Sequence, residues 1–240
     1  MDFTNKLIVL TGVGRAGQAG EIIALTFARL GATLALLDLQ ALEVSARAAS
    51  LTAAGYPATA HVANLSDPDA ARAAAAEVLD AHRAQFNGSV HAVVCAAGGF
   101  GSTGPLDESD PAAWHKQFLI NLDTAYATTR AFLPAVRQAR GSFTYFVSAA
   151  ALPGGKAGGL AAYIAAKSGV IALLRSVAAD EEKNGVRANA VAPTAIRTAA
   201  NLANMNDHTK YVERESVADV VAFLSSDGAR NISGQVITLA

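Results

Sequence analysis

The sequence predicts an α/β protein: a doubly wound, seven-stranded parallel sheet with helices on both faces, built as one domain over residues 1–240. Two observations carry that prediction. Short, continuously apolar runs recur along the chain, as in strands buried on both faces of a parallel sheet. Between them lie longer Ala- and Leu-rich stretches with helix start and stop signals, and a sustained strand–helix alternation winds into such a sheet. At 52% hydrophobic and 16% charged residues, the chain carries enough apolar side chain for one large core.

The expected strands are KLIVLT (6–11), TLALLD (33–38), ATAHVA (58–63), HAVVCA (91–96), SFTYFVS (142–148), RANAVA (187–192) and QVITL (235–239). The first helix spans 17–30 and stops at Gly31, a residue suited to a left-handed C-terminal cap. Asp67 with Pro68, and Asp110 with Pro111, each pair a capping carboxylate with a proline in the first turn, which opens two further helices. Helices over 111–140 and 160–184 are apolar over much of their surface. The chain shows no linker, tandem repeat or charge block.

The formal net charge is −1 and there is no basic run, which argues against a nucleic-acid surface. The single cysteine, Cys95, excludes an internal disulfide and a Cys-based zinc cluster and fits a reducing compartment. The apolar run LIVL is too short for a signal peptide or a membrane span. The expectation is a cytoplasmic protein with no membrane partner. His61, His82, His91, His115 and His208 form no ligand spacing, so no metal is assigned.

Two stretches carry chemistry. TGVGRAGQAGE follows the first strand, and Gly12, Gly14 and Gly17 match the spacing of a dinucleotide-binding turn. There the first glycine lets the chain bend sharply, and the next lets the backbone approach a pyrophosphate seated on the helix N-terminus. Asp38 ends the second strand about 20 residues on, where a carboxylate would accept from the adenosine ribose hydroxyls and repel a 2′-phosphate. NAD(H) is therefore favoured and NADP(H) stays open, because the Arg15 guanidinium would suit that phosphate. In AAYIAAKSG, Tyr163 and Lys167 stand four apart on one helix face. A lysine ammonium beside a phenol stabilises the phenolate and draws its pKa from about 10 toward a useful general acid/base. Ser148 leaves its strand at a carboxyl end, where open α/β sheets hold their ligands.

With these residues the chain resembles the short-chain dehydrogenase/reductase family over nearly its whole length. The matching segments are TGVGRAGQAG, Asp38, ANLSD (63–67), AAG (96–98), PLDESDPAAWHKQFLINL with Asn121, FVS with Ser148, YIAAK, RANAVAPTAIRT and ADVVAFLSSDGARNISGQVI (218–237). The resemblance implies a single-domain Rossmann fold and a catalytic tetrad of Asn121, Ser148, Tyr163 and Lys167. Tyr163 would pass a proton to or from the substrate oxygen as hydride moves to or from the nicotinamide. Ser148 would hydrogen-bond that oxygen, Lys167 would hold the nicotinamide ribose and lower the tyrosine pKa, and Asn121 would order a proton-relaying water. The implied cofactor contacts are Gly12, Gly14, Arg15, Gly17, Gly20, Asp38, Leu39, Asn64, Leu65, Ala96, Ala97, Gly98, Tyr163, Lys167, Pro193, Thr194, Ile196 and Thr198. The implied substrate is a small carbonyl compound or alcohol, and the implied assembly a dimer or homotetramer formed through the two long apolar helices.

The chain also departs from the family pattern. Its glycine turn aligns only with two extra residues, so that Gly20 takes the last glycine position and Gly17 or Gln18 the middle one. The usual Asn-Asn-Ala-Gly reads Cys95-Ala96-Ala97-Gly98, which removes amides that tie strands together. Asn64 stands where an aspartate usually accepts from the adenine amino group. The segment from Ser148 to Tyr163 is about two residues longer than the family pattern, so counting back from Tyr163 lands on Ala150, while the strand alignment gives Ser148. Pro-Gly becomes Pro193-Thr194, and the substrate lid, over 199–215, is short and polar. The complete Asn121, Ser148, Tyr163 and Lys167 set behind a dinucleotide turn suggests an NAD(P)(H)-dependent oxidoreductase acting between a secondary alcohol and a ketone. The alternatives are a weakly catalytic dinucleotide-binding sensor or scaffold and, among enzymes, a 3-oxoacyl-carrier-protein reductase.

Overall fold

Alternating burial builds the sheet. In β1 (Leu7–Thr11), Leu7 and Val9 enter one core layer while Ile8 and Leu10 enter the other, all fully buried. In β2 (Thr33–Asp38), Ala35 and Leu37 join the first layer and Leu34 and Leu36 the second. Successive side chains point to opposite faces, so a strand covered on both faces must be apolar throughout. With β3 (Ala58–Val62), β4 (Ala92–Cys95), β5 (Ser142–Phe146), β6 (Arg187–Pro193) and β7 (Val236–Leu239) they form a seven-stranded parallel sheet in the order β3-β2-β1-β4-β5-β6-β7. The computed structural model describes residues 1–205 and 208–240.

Among the described residues the α-helices are α1 (Ala19–Arg29), α2 (Ala41–Ala53), α3 (Pro68–Ala81), α4 (Arg83–Phe86), α5 (Pro111–Phe118), α6 (Thr124–Ala139), α7 (Ala161–Asp180), α8 (Ala199–Asn204) and α9 (Arg214–Ser225). The apolar stripes of α1, α2 and α9 pack on one face of the sheet, through residues such as Ile23, Phe27, Val44 and Val221. Those of α3, α6 and α7 pack on the other, through Val78, Phe132 and Leu174. At a fully buried leucine such as Leu36, truncation to alanine costs about 2–5 kcal/mol.

The expected strands lie within two residues of the observed ones. Both proline-led helices start as their caps require. Asp67 accepts from the Asp69 and Ala70 amides, and Asp110 from those of Ala112 and Ala113. Four helical boundaries differ from expectation, each for a local reason. Helix α1 begins at Ala19, because Gly17 is left-handed (φ +71°) and Gln18 is extended. The helix expected after Pro68 breaks at His82, which ends α3 and caps α4. The 111–140 helix contains a π-helical turn over Leu119–Asp123, a feature that often marks a functional segment. Residues 214 and 215 of the expected lid belong to α9, while Asn206 and Asp207, also within that lid, lie outside the described residues.

Helix α7 is long and apolar enough, by length and composition, to cross a membrane. Its inward face, including Ala166, Val170 and Leu174, is instead buried in the core layer it shares with β6. The strand order reverses between β1 and β4, and the crevice at their carboxyl ends is the ligand position of an open α/β sheet.

Candidate active site

The glycine turn fills the end of β1. Gly12 has φ +69°, its N–H donates to Leu37 O at 2.9 Å, and a Cβ on it would lie 2.6 Å from Ala97 Cα. Only a residue with no side chain fits both the backbone angle and the space. Gly14 donates its N–H to Asp38 Oδ2 at 2.9 Å, and Asp38 Oδ1 accepts the Gln40 N–H at 3.1 Å. The β2 carboxylate is thus fixed beside the turn. Gly17 meets Ala199 at the start of α8, where the Ala199 N–H donates to Gly17 O at 2.9 Å. Gly20 lies on α1 where the helix crosses the turn: a Cβ there would stand 2.5 Å from Gly12 O. The close helix packing therefore falls to Gly20 and not to Gly17.

The remaining expected contact residues line the same end of the sheet. Leu39 is exposed and Arg15 points to solvent, whereas Leu65 is buried in the core. Asn64 follows β3, and its Oδ1 accepts from the Ser66 amide at 3.2 Å and the Ser66 hydroxyl at 2.7 Å. That amide oxygen, expected to accept from an adenine amino group, caps its own turn. Ala96 and Ala97 face Gly12, and the Ala97 N–H donates to Thr11 Oγ1 at 3.1 Å. The Thr11 hydroxyl also donates to Val94 O at 3.3 Å, so it joins β1 to the segment that lost its asparagines. Cys95 is buried, and desolvation pushes its thiol up to about 12. Pro193 ends β6, the Thr194 N–H donates to Leu239 O at 2.9 Å, Ile196 bridges to Val212, and Thr198 caps α8 through the Asn201 N–H.

The four expected catalytic side chains come together after β4 and β5. Asn121 sits in the π-helical turn. Its Oδ1 accepts the Gly99 N–H at 3.2 Å, and its Nδ2 donates to Gly99 O at 3.0 Å, to Gln117 O at 3.0 Å and to Gln117 Oε1 at 3.3 Å. The Asn121 side chain thus holds the loop after β4. A Cβ on Gly98 would lie 2.7 Å from Asn121 Oδ1 and 3.5 Å from Lys167 Nζ, which makes Gly98 the point where these two side chains meet.

Lys167 is buried. Its Nζ donates to Phe146 O at 2.8 Å and stands 5.9 Å from the Tyr163 ring centroid. Desolvation lowers its pKa from 10.5 to about 8. Ser148 faces the Tyr163 phenol closely enough to lower its pKa, while Ala150 brings only its backbone N–H, 3.3 Å from Ser148 Oγ. The strand-based alignment therefore gives the serine that reaches the tyrosine. The phenol itself departs from expectation. Burial raises its pKa, Ser148 offsets part of that rise, and the ammonium of Lys167 does not bring it below the ordinary value. Lys167 lies over the ring rather than against the oxygen, and its proton is directed to Phe146 O.

Sequence reasoning did not find Thr11, Gln117, Phe100 or Glu21. Gln117 stands one turn before Asn121, and its i,i+4 spacing was the available signal. Phe100 is 63% exposed, with its ring edge-on to the Tyr163 ring at 5.2 Å between centroids; a lone aromatic in a glycine-rich loop gives no pattern. Glu21 reaches back to the Gly17 N–H at 2.7 Å from the third position of α1, where an acidic residue often closes a helix start.

Comparison with known proteins bears on the family. A family profile described as Enoyl-(Acyl carrier protein) reductase matches residues 12–239. The chain is 28% identical to a cyclohexanol dehydrogenase of Acinetobacter sp. (strain SE19), covering 97% of this chain and 92% of that relative. It is 31% identical to a meso-2,3-butanediol dehydrogenase of Serratia marcescens, covering 98% and 92%. The crystal structure of gox2181 superposes with a TM-score of 0.90 at 25% identity, covering 99% of this chain and 95% of that one. Read together with the glycine turn and the Ser148–Tyr163–Lys167 cluster, these matches mean that the chain belongs to the short-chain dehydrogenase/reductase family.

Proposed function

We propose that the chain interconverts a secondary alcohol and a ketone with NAD(H), with Tyr163 as the general acid/base. The observation that carries this reading is the convergence of Ser148 and Lys167 on Tyr163, with Lys167 and Asn121 meeting at Gly98. The turn suits a dinucleotide: Gly12 and Gly14 keep side chains out of it, and Asp38 stands at the adjacent strand end. A bound nicotinamide supplies the hydride acceptor or donor. Gly12, Gly14 and Asp38 would hold its adenosine and diphosphate half, and Lys167 its nicotinamide ribose.

The chain's own share is proton transfer and orientation. Ser148 directs its hydroxyl toward the oxygen that Tyr163 serves. The raised pKa of Tyr163 keeps the phenol protonated at neutral pH, which suits donation to a ketone oxygen. Removal of an alcohol proton needs the phenolate and is favoured at higher pH.

For the cofactor, two acids outweigh the nearby arginines. Glu43 lines a hollow of about 240 Å³ beside Gly14 and Arg47, and Asp38 borders it through Gly14. Arg47 is already paired with Glu21 at 2.8 Å. This supports NAD(H) over NADP(H). A carrier-protein substrate is the weaker reading, because Arg197 pairs with Glu213 and Arg214 with Glu21, which leaves little basic surface around the lid. The two relatives named above oxidise small alcohols by name, which supports a small substrate. The test is NADH and NADPH binding, followed by turnover of cyclic and acyclic ketones with the better cofactor. Tighter NADPH binding overturns the cofactor assignment, and binding without turnover of any ketone favours a sensor.

A further inference from the structure

Gly17 sits in the glycine turn, and its backbone polar groups lead to the start of α8 and, through Glu21, to the start of α9. Its carbonyl accepts the Ala199 N–H at 2.9 Å, at the start of α8. Its N–H donates to Glu21 Oε2 at 2.7 Å, and the same carboxylate pairs with Arg214 at 3.5 Å, at the start of α9. Glu21 Oε1 is held in turn by Arg47 of α2 at 2.8 Å. The starts of α8 and α9 thus meet one residue of the turn, one directly and the other through a carboxylate. Gly17 is left-handed, and a Cβ on it would stand 2.9 Å from Ala199 Cβ, so the junction is closely packed.

We propose that Glu21 is a positioning residue that fastens the far end of the substrate-covering segment to the dinucleotide turn, so that the turn and the cover move as one unit. This inference rests on the reading that α8 and the residues leading into α9 cover the substrate. Arg47 supplies the second cation that keeps the Glu21 carboxylate aimed between the helices. Arg197 pairs with Glu213 and lies over the Tyr211 ring at 5.0 Å, and the Val212 N–H donates to Ala195 O, which ties the end of the segment to the chain after β6; Arg214 is its side-chain link to the turn.

The experiment has two arms. In the first, the native protein without ligand is digested with a protease that cuts after lysine, and cleavage after exposed Lys210 is followed by mass. Arg214→Ala should speed that cleavage about threefold and Glu21→Ala about tenfold, with the double variant no faster than Glu21→Ala. Cleavage at the wild-type rate in Arg214→Ala, or fully additive effects in the double variant, overturns the proposal. Arg214 sits at the partly exposed start of α9, so that variant carries the test if Glu21→Ala fails to fold. In the second arm, the KM for a ketone should rise about tenfold in Glu21→Ala while kcat and the NADH Kd move about threefold or less. An NADH Kd that weakens as much as KM means that Glu21 serves the cofactor turn alone and overturns the role in the cover. A wild-type protein that turns over no ketone counts against the proposed function, and the cleavage arm still decides the tether.

Discussion

Helix α1 crosses the end of β1 so closely that a Cβ on Gly20 would stand 2.5 Å from the Gly12 carbonyl oxygen and 2.8 Å from Val13 Cα. Both are backbone atoms and cannot turn aside as a side chain would. Gly20→Ala must push the helix off the turn, and overpacking of this kind costs about 1–3 kcal/mol. In a chain of this length that lowers Tm by about 3–10 °C. Because the displaced atoms belong to the dinucleotide turn, NADH affinity should fall in the same variant, whereas Gly55→Ala, at a position with open space, should leave affinity alone. Thermal unfolding and an NADH titration of the two variants check this.

Lys167 gives a pH dependence of stability with a definite sign. Burial lowers its pKa from 10.5 to about 8, so between those values the unfolded chain holds a proton that the folded chain has released. Stability should therefore rise with pH across that window, and the cost of burying the ammonium is fully present below it. At about 1.4 kcal/mol per pH unit the effect is capped at about 3 kcal/mol. Urea unfolding at a series of pH values should show this rise in wild type and a flatter curve in Lys167→Met. Parallel curves would show that the ammonium is better solvated than its burial implies.

Asp38 holds the Gly14 and Gln40 amides as well as facing the ribose position. Asp38→Asn keeps an acceptor for the turn and removes the charge that repels a 2′-phosphate. The ratio of NADPH to NADH affinity should move toward NADPH by about tenfold, roughly 1.4 kcal/mol, read from parallel titrations. An unmoved ratio would pass the discrimination to Glu43 and Arg15.

The core architecture was legible in the sequence because both faces of the sheet are covered. KLIVLT and TLALLD could be read as strands since every side chain in them is buried, and Asp67 and Asp110 as helix starts since their carboxylates can do little else ahead of a proline. Gly20 was legible through its distance from Gly31. What the sequence hid was the geometry that depends on contacts far along the chain. The Tyr163–Lys167 spacing gives a shared face, but the direction of the ammonium depends on Phe146 O, a backbone atom 21 residues away. The spacing alone predicted a lowered phenol where burial raises it. Likewise, no pattern in TGVGRAGQAGE shows that Gly17 will meet Ala199, since that contact exists only once α8 has folded against the turn.

The most direct test is the loss of NADH absorbance with a cyclic or acyclic ketone, measured for wild type and Tyr163→Phe at equal cofactor saturation. The account predicts turnover by wild type that declines only at high pH, where the phenol loses its proton, and a fall of about 10²–10⁴-fold in Tyr163→Phe with NADH affinity nearly retained. A Tyr163→Phe protein that reduces ketones as fast as wild type would contradict the assignment of the acid, and with it the central claim.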